Sequence, residues 1–222
     1  MPWARYRRDW QTGIFSGAAQ AAKRTRCLLL TVVLLYVVSY LVGWYLISVR
    51  NPTAVQFAQT IVHSVLTERP FTTVTAALKS GNLGQAILFT FLFNLASGAF
   101  LSTTLPGVIP LFGGVVIIGI TVLRGFVVGV TYPAVLASSY GALVLGLGTL
   151  VLELGAYVFS GAAGIHMALA PIFPGRLGVQ DRWAALRAAC RDAVRLYAIV
   201  VLLLGLGAVW EMTGLFLLIR TR

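Results

Sequence analysis

Four side chains in the interior of this 222-residue chain could carry or hold charge where charge is expensive: Asn94, Arg124, Glu153 and Glu211. Each sits inside a long apolar run, and an ionised group at the centre of a bilayer costs about 2.5–3.5 kcal/mol on insertion scales. Two carboxyls and one guanidinium allow two kinds of chemistry. Carboxyls at mid-depth can relay protons or line a solute path. Closed on the arginine, they instead form a buried triad that fixes how the helices pack. With all three ionised the set carries −1, balanced by one protonated carboxyl or a bound cation.

Other reactive combinations are thin. Ser160 and His166 invite comparison with a serine hydrolase, but six residues on one helix places them on different faces. The other histidine, His63, falls in a polar connection, so His166 is expected to be an interfacial residue near the inner end of its helix. HExxH, paired CxxC and glycine-rich phosphate loops are missing from the sequence, and candidate metal ligands are too few. The expectation is a non-enzymatic protein with no metal and no cofactor. Cys27 and Cys190 both lie near basic ends, where a reducing compartment keeps thiols free.

The elements that must hold the four residues follow from composition. The chain is 59% hydrophobic and 10% charged, against about 25% charged for soluble domains. That predicts an all-α polytopic membrane protein, a bundle of five transmembrane helices with amphipathic helices at its surfaces. The spans are expected at 27–49, 83–102, 111–130, 141–170 and 194–218. The first reads as a retained anchor rather than a cleaved leader. The fourth, 30 residues and rich in glycine, reads as one long helix, bent or broken around Glu153.

Between the first two spans, residues 50–82 form the largest exterior piece. There Val55, Ala58, Ile61, Val62, Val65 and Leu66 fall on one helical face, which predicts a helix along the membrane surface that Pro70 ends. A second short helix is expected from Thr72 to Ser80-Gly81-Asn82. Residues 175–193 read as a basic amphipathic helix that rests on the inner surface and runs into the fifth span, Trp183, Leu186 and Cys190 on one face and Arg182, Arg187 and Arg191 largely on another. Residues 1–26 form a basic cytoplasmic segment, with Trp3, Tyr6, Trp10 and Phe15 at headgroup level, and residues 27–222 a single transmembrane domain.

Charge placement orients the bundle. Of 17 basic residues, six precede the first span and five (Arg176, Arg182, Arg187, Arg191, Arg195) precede the last. Both clusters belong in the cytoplasm. The N-terminus is then inside, the C-terminus outside, and the location a cell membrane. The same clusters favour anionic lipid headgroups at the inner face, by about 1 kcal/mol per residue. The net charge of +11 thus marks topology and lipid, not nucleic acid.

At about 1.5 Å per residue, this topology brings Arg124, Glu153, Glu211 and Asn94 into one slab. Small residues accompany them: Gly125 and Gly129 beside Arg124, Gly161 and Gly164 after Glu153, Gly207 and Gly214 around Glu211. Such faces let membrane helices approach closely. The Gly125–Gly129 pair is also the expected contact for a homo-oligomer.

The order of these features resembles the stage II sporulation protein M family over about residues 70–218. Phe93-Asn94-Leu95-Ala96-Ser97-Gly98 matches its asparagine-bearing span, and Arg124-Gly125 through Gly129 its polar-Gly-x-x-x-Gly stretch, with arginine in place of the usual asparagine. Glu153-Leu154 and Ser160-Gly161-Ala162-Ala163-Gly164 match a Pro-His-Gly-x-x-Glu-Leu motif and its small-residue tail, though Gly148, Thr149 and Leu150 replace the first three positions. Val209-Trp210-Glu211 matches the last glutamate-bearing span. The resemblance implies an integral membrane protein; in spore formers a member scaffolds peptidoglycan-degrading enzymes. It points to a membrane scaffold recruiting cell-envelope partners through residues 50–82. The alternative from the residues alone is a transporter or permease subunit that uses Arg124, Glu153 and Glu211.

Overall fold

The structure, a computed structural model, describes residues 13–68, 71–136 and 139–220. It is all-helical, with no strand among the described residues. Tryptophans 3 and 10, Tyr6, the first basic residues and Pro70 lie outside that range.

Eight α-helices follow one another among the described residues: α1 (Ile14–Arg24), α2 (Arg26–Ser48), α3 (Pro52–Thr67), α4 (Phe71–Lys79), α5 (Leu83–Phe93), α6 (Phe112–Leu136), α7 (Tyr140–Leu169) and α8 (Arg182–Arg220). Five helical stretches are long and apolar enough to cross a membrane: Arg26–Ser48, Leu83–Val108, Phe112–Pro133, Tyr140–Leu169 and Arg182–Arg220. The protein is a multi-pass membrane protein. Two compact units divide the chain, and each of the five stretches contributes to both. The first comprises Met1–Val33, Leu95–Thr121 and Gly155–Leu203; the second Leu34–Asn94, Val122–Leu154 and Leu204–Arg222.

Several boundaries depart from the sequence expectation. After α5 the second span does not stop at Ser102. It continues as a π-helix, Asn94–Thr104, and a 3₁₀ turn, Leu105–Val108. Asn94 stands at the α-to-π change. Inside the π segment the Ser102 hydroxyl meets the carbonyls of Ser97 and Gly98, satisfying acceptors that the wider turn displaces. The third span runs past Val130 to Leu136 with Pro133 inside it, because a proline near a helix end removes one N–H donor and leaves the other bonds in place. The fourth is one uninterrupted helix of 30 residues.

The helix expected at 175–193 does run into the fifth span, but it starts later. A 3₁₀ turn (Pro174–Leu177) is followed by Gly178 in the left-handed conformation, and α8 begins at Arg182. From there α8 runs 39 residues without a break, roughly 58 Å, twice the ~30 Å hydrocarbon core. Trp183 is exposed, while Ala185, Ala189, Ala193 and Leu196 are buried. Of the expected apolar face, Leu186 and Cys190 pack against this core and only Trp183 faces outward, while Arg182, Arg187 and Arg191 lie on the exposed side; the tightest packing is made by the small residues.

In the first unit that alanine stripe packs with Ala21 of α1 and Ala163, Met167 and Ala170 at the end of α7. In the second, α4 packs Ala77 and Leu78 on Ala86 and Met212. Gly81, at φ 81°, and Asn82, whose side chain accepts from the Gln85 N–H, close α4 and open α5, where the sequence expected the stop. Asn51 caps α3 in the same way. Phe57 of α3 lies 5.8 Å from the Phe126 ring of α6. The shielded side of α3 is Ala54, Phe57, Ala58 and Ile61, so Val62 and Val65, expected on the apolar face, are exposed.

Candidate functional site

All four interior polar residues fall in the second unit. The α5 terminus presents Asn94, whose Nδ2 donates to Oε1 of Glu153 on α7 at 2.6 Å. Glu211 of α8 and Arg124 of α6 lie within electrostatic reach of the Glu153 carboxylate. Tyr132, one helical face further along α6, lies within reach of both glutamates. Each of the four is partly shielded. The cluster thus joins four helices through the Asn94–Glu153 hydrogen bond and a set of opposed charges. Tyr132 is an addition the sequence reading missed; eight residues beyond Arg124, it shares a helical face with it.

Close helix crossings hold the cluster. A methyl group built on Gly129 would meet the Tyr40 carbonyl oxygen, and one on Gly125 would lie 2.9 Å from the Tyr36 carbonyl oxygen. From the other side, one on Gly43 of α2 would lie 2.7 Å from the Phe126 carbonyl. The expected oligomer contact is therefore filled within the chain, by α2. Gly207 faces Leu152 and Glu153 at ordinary contact distances, and Gly214 faces the Leu145 side chain. In the first unit, Gly164 abuts the Thr103 carbonyl, whereas Gly161 has van der Waals room.

A second polar cluster, in the first unit, was not anticipated. Asp192 of α8 is fully buried. Arg24 of α1 grips it with two hydrogen bonds, Nε to Oδ2 at 2.9 Å and Nη2 to Oδ1 at 2.5 Å. Arg195 Nη1 lies 3.8 Å from Oδ1 and His166 Nε2 3.7 Å from Oδ2. His166 does stand in the last turn of its helix, and its side chain, 13% exposed, faces a carboxylate. Gly17 of α1 borders the Arg195 side chain, whose Nε would lie 3.4 Å from a methyl group built there. The sequence did hold a signal. Asp192 is three, four and seven residues from Ala189, Ala188 and Ala185, which places it on the alanine face.

Removing one partner of a buried pair strands the other, at about 3–5 kcal/mol. Arg24→Ala, which strands the fully buried Asp192 carboxylate, is therefore expected to lower unfolding free energy by about that much, and Asp192→Ala, which strands the partly exposed arginine, by less. Unfolding in mixed micelles checks this; equal losses would contradict the burial asymmetry.

Ser160, suspected for its distance from His166, bonds elsewhere: its Oγ is 2.8 Å from Thr103 Oγ1, and its carbonyl accepts from Thr104. Thr104 in turn accepts from the Tyr197 hydroxyl at 2.8 Å.

With the geometry in place, comparison with known families is decisive. The model of the family described as Stage II sporulation protein M matches residues 32–213, most of the chain. The chain belongs to that family. The family match starts well before the region of motif resemblance and takes in α2, α3 and α4 as well as all four cluster residues. Helix α1, with Arg24, precedes it. No curated protein and no solved structure matches the chain.

Proposed function

We propose that this family member is a non-enzymatic membrane scaffold that recruits cell-envelope proteins through the outer helices α3 and α4. The observation that carries the reading is the way this pair is built. Its inner side packs on transmembrane helices through Phe57, Ala77 and Leu78. Its other side leaves Val62, Val65 and Phe71 exposed among Gln56, Gln59, Thr60 and His63. An apolar centre with a polar rim is how recognition patches are composed. The positive-inside orientation puts this surface outside the cell, with the N-terminus in the cytoplasm. The interior cluster then serves as the bundle's register.

Photo-crosslinking from position 62 in intact cells tests the reading. The expected result is a covalent adduct with a defined envelope protein, lost in a Val65→Glu variant that keeps its melting temperature. Adducts with lipid alone would overturn it.

A second reading, a proton or solute path, draws on the π-helix at Asn94. π segments inside helices are frequent at functional sites, and this one starts at the residue bonded to Glu153.

A further inference from the structure

In the first unit a recess of about 440 Å³ opens between two inter-span turns and the start of α8. That volume is within the roughly 300–1,000 Å³ of small-molecule sites. Its wall is apolar, made by Val108 and Pro110 from the turn after the second span, Pro171 and Ile172 from the turn after the fourth, and Leu186 of α8. Arg182 and Trp183, both exposed, complete the lining. Four basic residues surround the opening in sequence, Arg176, Arg182, Arg187 and Arg191, against one acid, Asp181.

Both turns follow an even number of crossings, so they share a membrane side with the N-terminal basic segment. That side carries exposed apolar groups: Ile109, Leu111, Phe112 and Phe173 besides Trp183. Apolar side chains on irregular backbone belong where headgroups can satisfy the free carbonyls and acyl chains can cover the side chains.

We propose that this recess binds one anionic phospholipid, its phosphate on the Arg182 guanidinium and the upper part of an acyl chain against Val108, Ile172 and Leu186. The helix amides are not the anion site, because Asp181 already accepts from the Ala184 N–H at 2.8 Å. Arg187, 4.0 Å from Asp181, offsets that carboxylate and leaves Arg182 as the cation at the recess. Guanidinium suits phosphate through paired N–H donors. An exposed tryptophan in the lining matches the depth at which indoles settle. A zwitterionic lipid offers the same chains and phosphate but adds a cation that the basic residues repel.

Native mass spectrometry of the full-length protein, released from micelles containing equal phosphatidylglycerol and phosphatidylcholine of identical chains, tests the assignment. The expected result is one retained phosphatidylglycerol, preferred about tenfold. Arg182→Gln should remove the preference, and Arg176→Gln, whose guanidinium stacks 5.2 Å over Phe173, should keep it. Val108→Trp fills the recess while sparing the charge, and should lose the lipid even if Arg182→Gln fails to fold. Equal retention of the two lipids, or a preference that survives both Arg182→Gln and Val108→Trp, would overturn the site.

Discussion

Arg124→Leu is expected to lower the unfolding free energy by about 3–5 kcal/mol, the cost of stranding buried charge. The double variant Arg124→Leu/Glu153→Leu should lose less than the single one. The reason lies in how the cluster is composed. Glu153 has the amide of Asn94 at 2.6 Å as its hydrogen-bond donor, but Glu211 bears the same charge nearby and Arg124 opposes both. Without the guanidinium, two carboxyls face each other in a low-dielectric setting where Coulomb terms are large. Removing Glu153 as well relieves that repulsion. Denaturant-titrated unfolding in mixed micelles reads the coupling directly as the departure from additivity. Additive losses would show that Arg124 acts independently of the glutamate.

Gly129→Ala should also be damaging, for a different reason. The added methyl would run into the Tyr40 carbonyl oxygen, and backbone cannot swing aside as a side chain can. Overpacking costs about 1–3 kcal/mol, occasionally more, and here α2 must separate from α6 to relieve it. Such a separation also displaces Arg124, five residues away, so the two predictions are linked. Gly161→Ala is the matched control: its new methyl would find Val32 and Ile117 at 3.6–3.8 Å, ordinary contact, and stability should hold or rise slightly. Melting temperatures of the two variants check this; equal losses would mean the Gly129 crossing is not the constraint.

The spans were legible because a bilayer demands long apolar runs, and those runs are visible in any window of this chain. The four cluster residues were legible for the opposite reason, as polar exceptions inside them. What stayed hidden depends on packing rather than composition. The π-helix after Phe93 has the same residues as an α-helix would, and its register rests on contacts such as Gly98 against the Tyr157 hydroxyl. The buried face at the start of α8 was masked because residues 182–193 are rich in arginine, while the side chains that pack most tightly are alanines, which hydropathy hardly marks. Asp192 went unseen inside a basic segment, since its partner Arg24 stands 168 residues away in the chain. Helices α3 and α4 were placed correctly in sequence, but Phe57, not Val62 or Val65, turned out to anchor α3.

One consequence joins the two polar clusters. Each ties helices that are distant in sequence, Asn94 to Glu153 in one unit and Arg24 to Asp192 in the other. In lipid, where apolar contacts give no preference for a neighbouring helix over a lipid tail, such bonds and close glycine crossings are what specify a single packing. That is the basis for reading the interior charges as register rather than as a conduit.

Proton flux into sealed proteoliposomes under an imposed pH gradient tests that central claim most directly. The account predicts a leak equal to that of protein-free vesicles, unchanged by Glu153→Gln. A gradient-driven flux that scales with reconstituted protein and disappears in Glu153→Gln would contradict it.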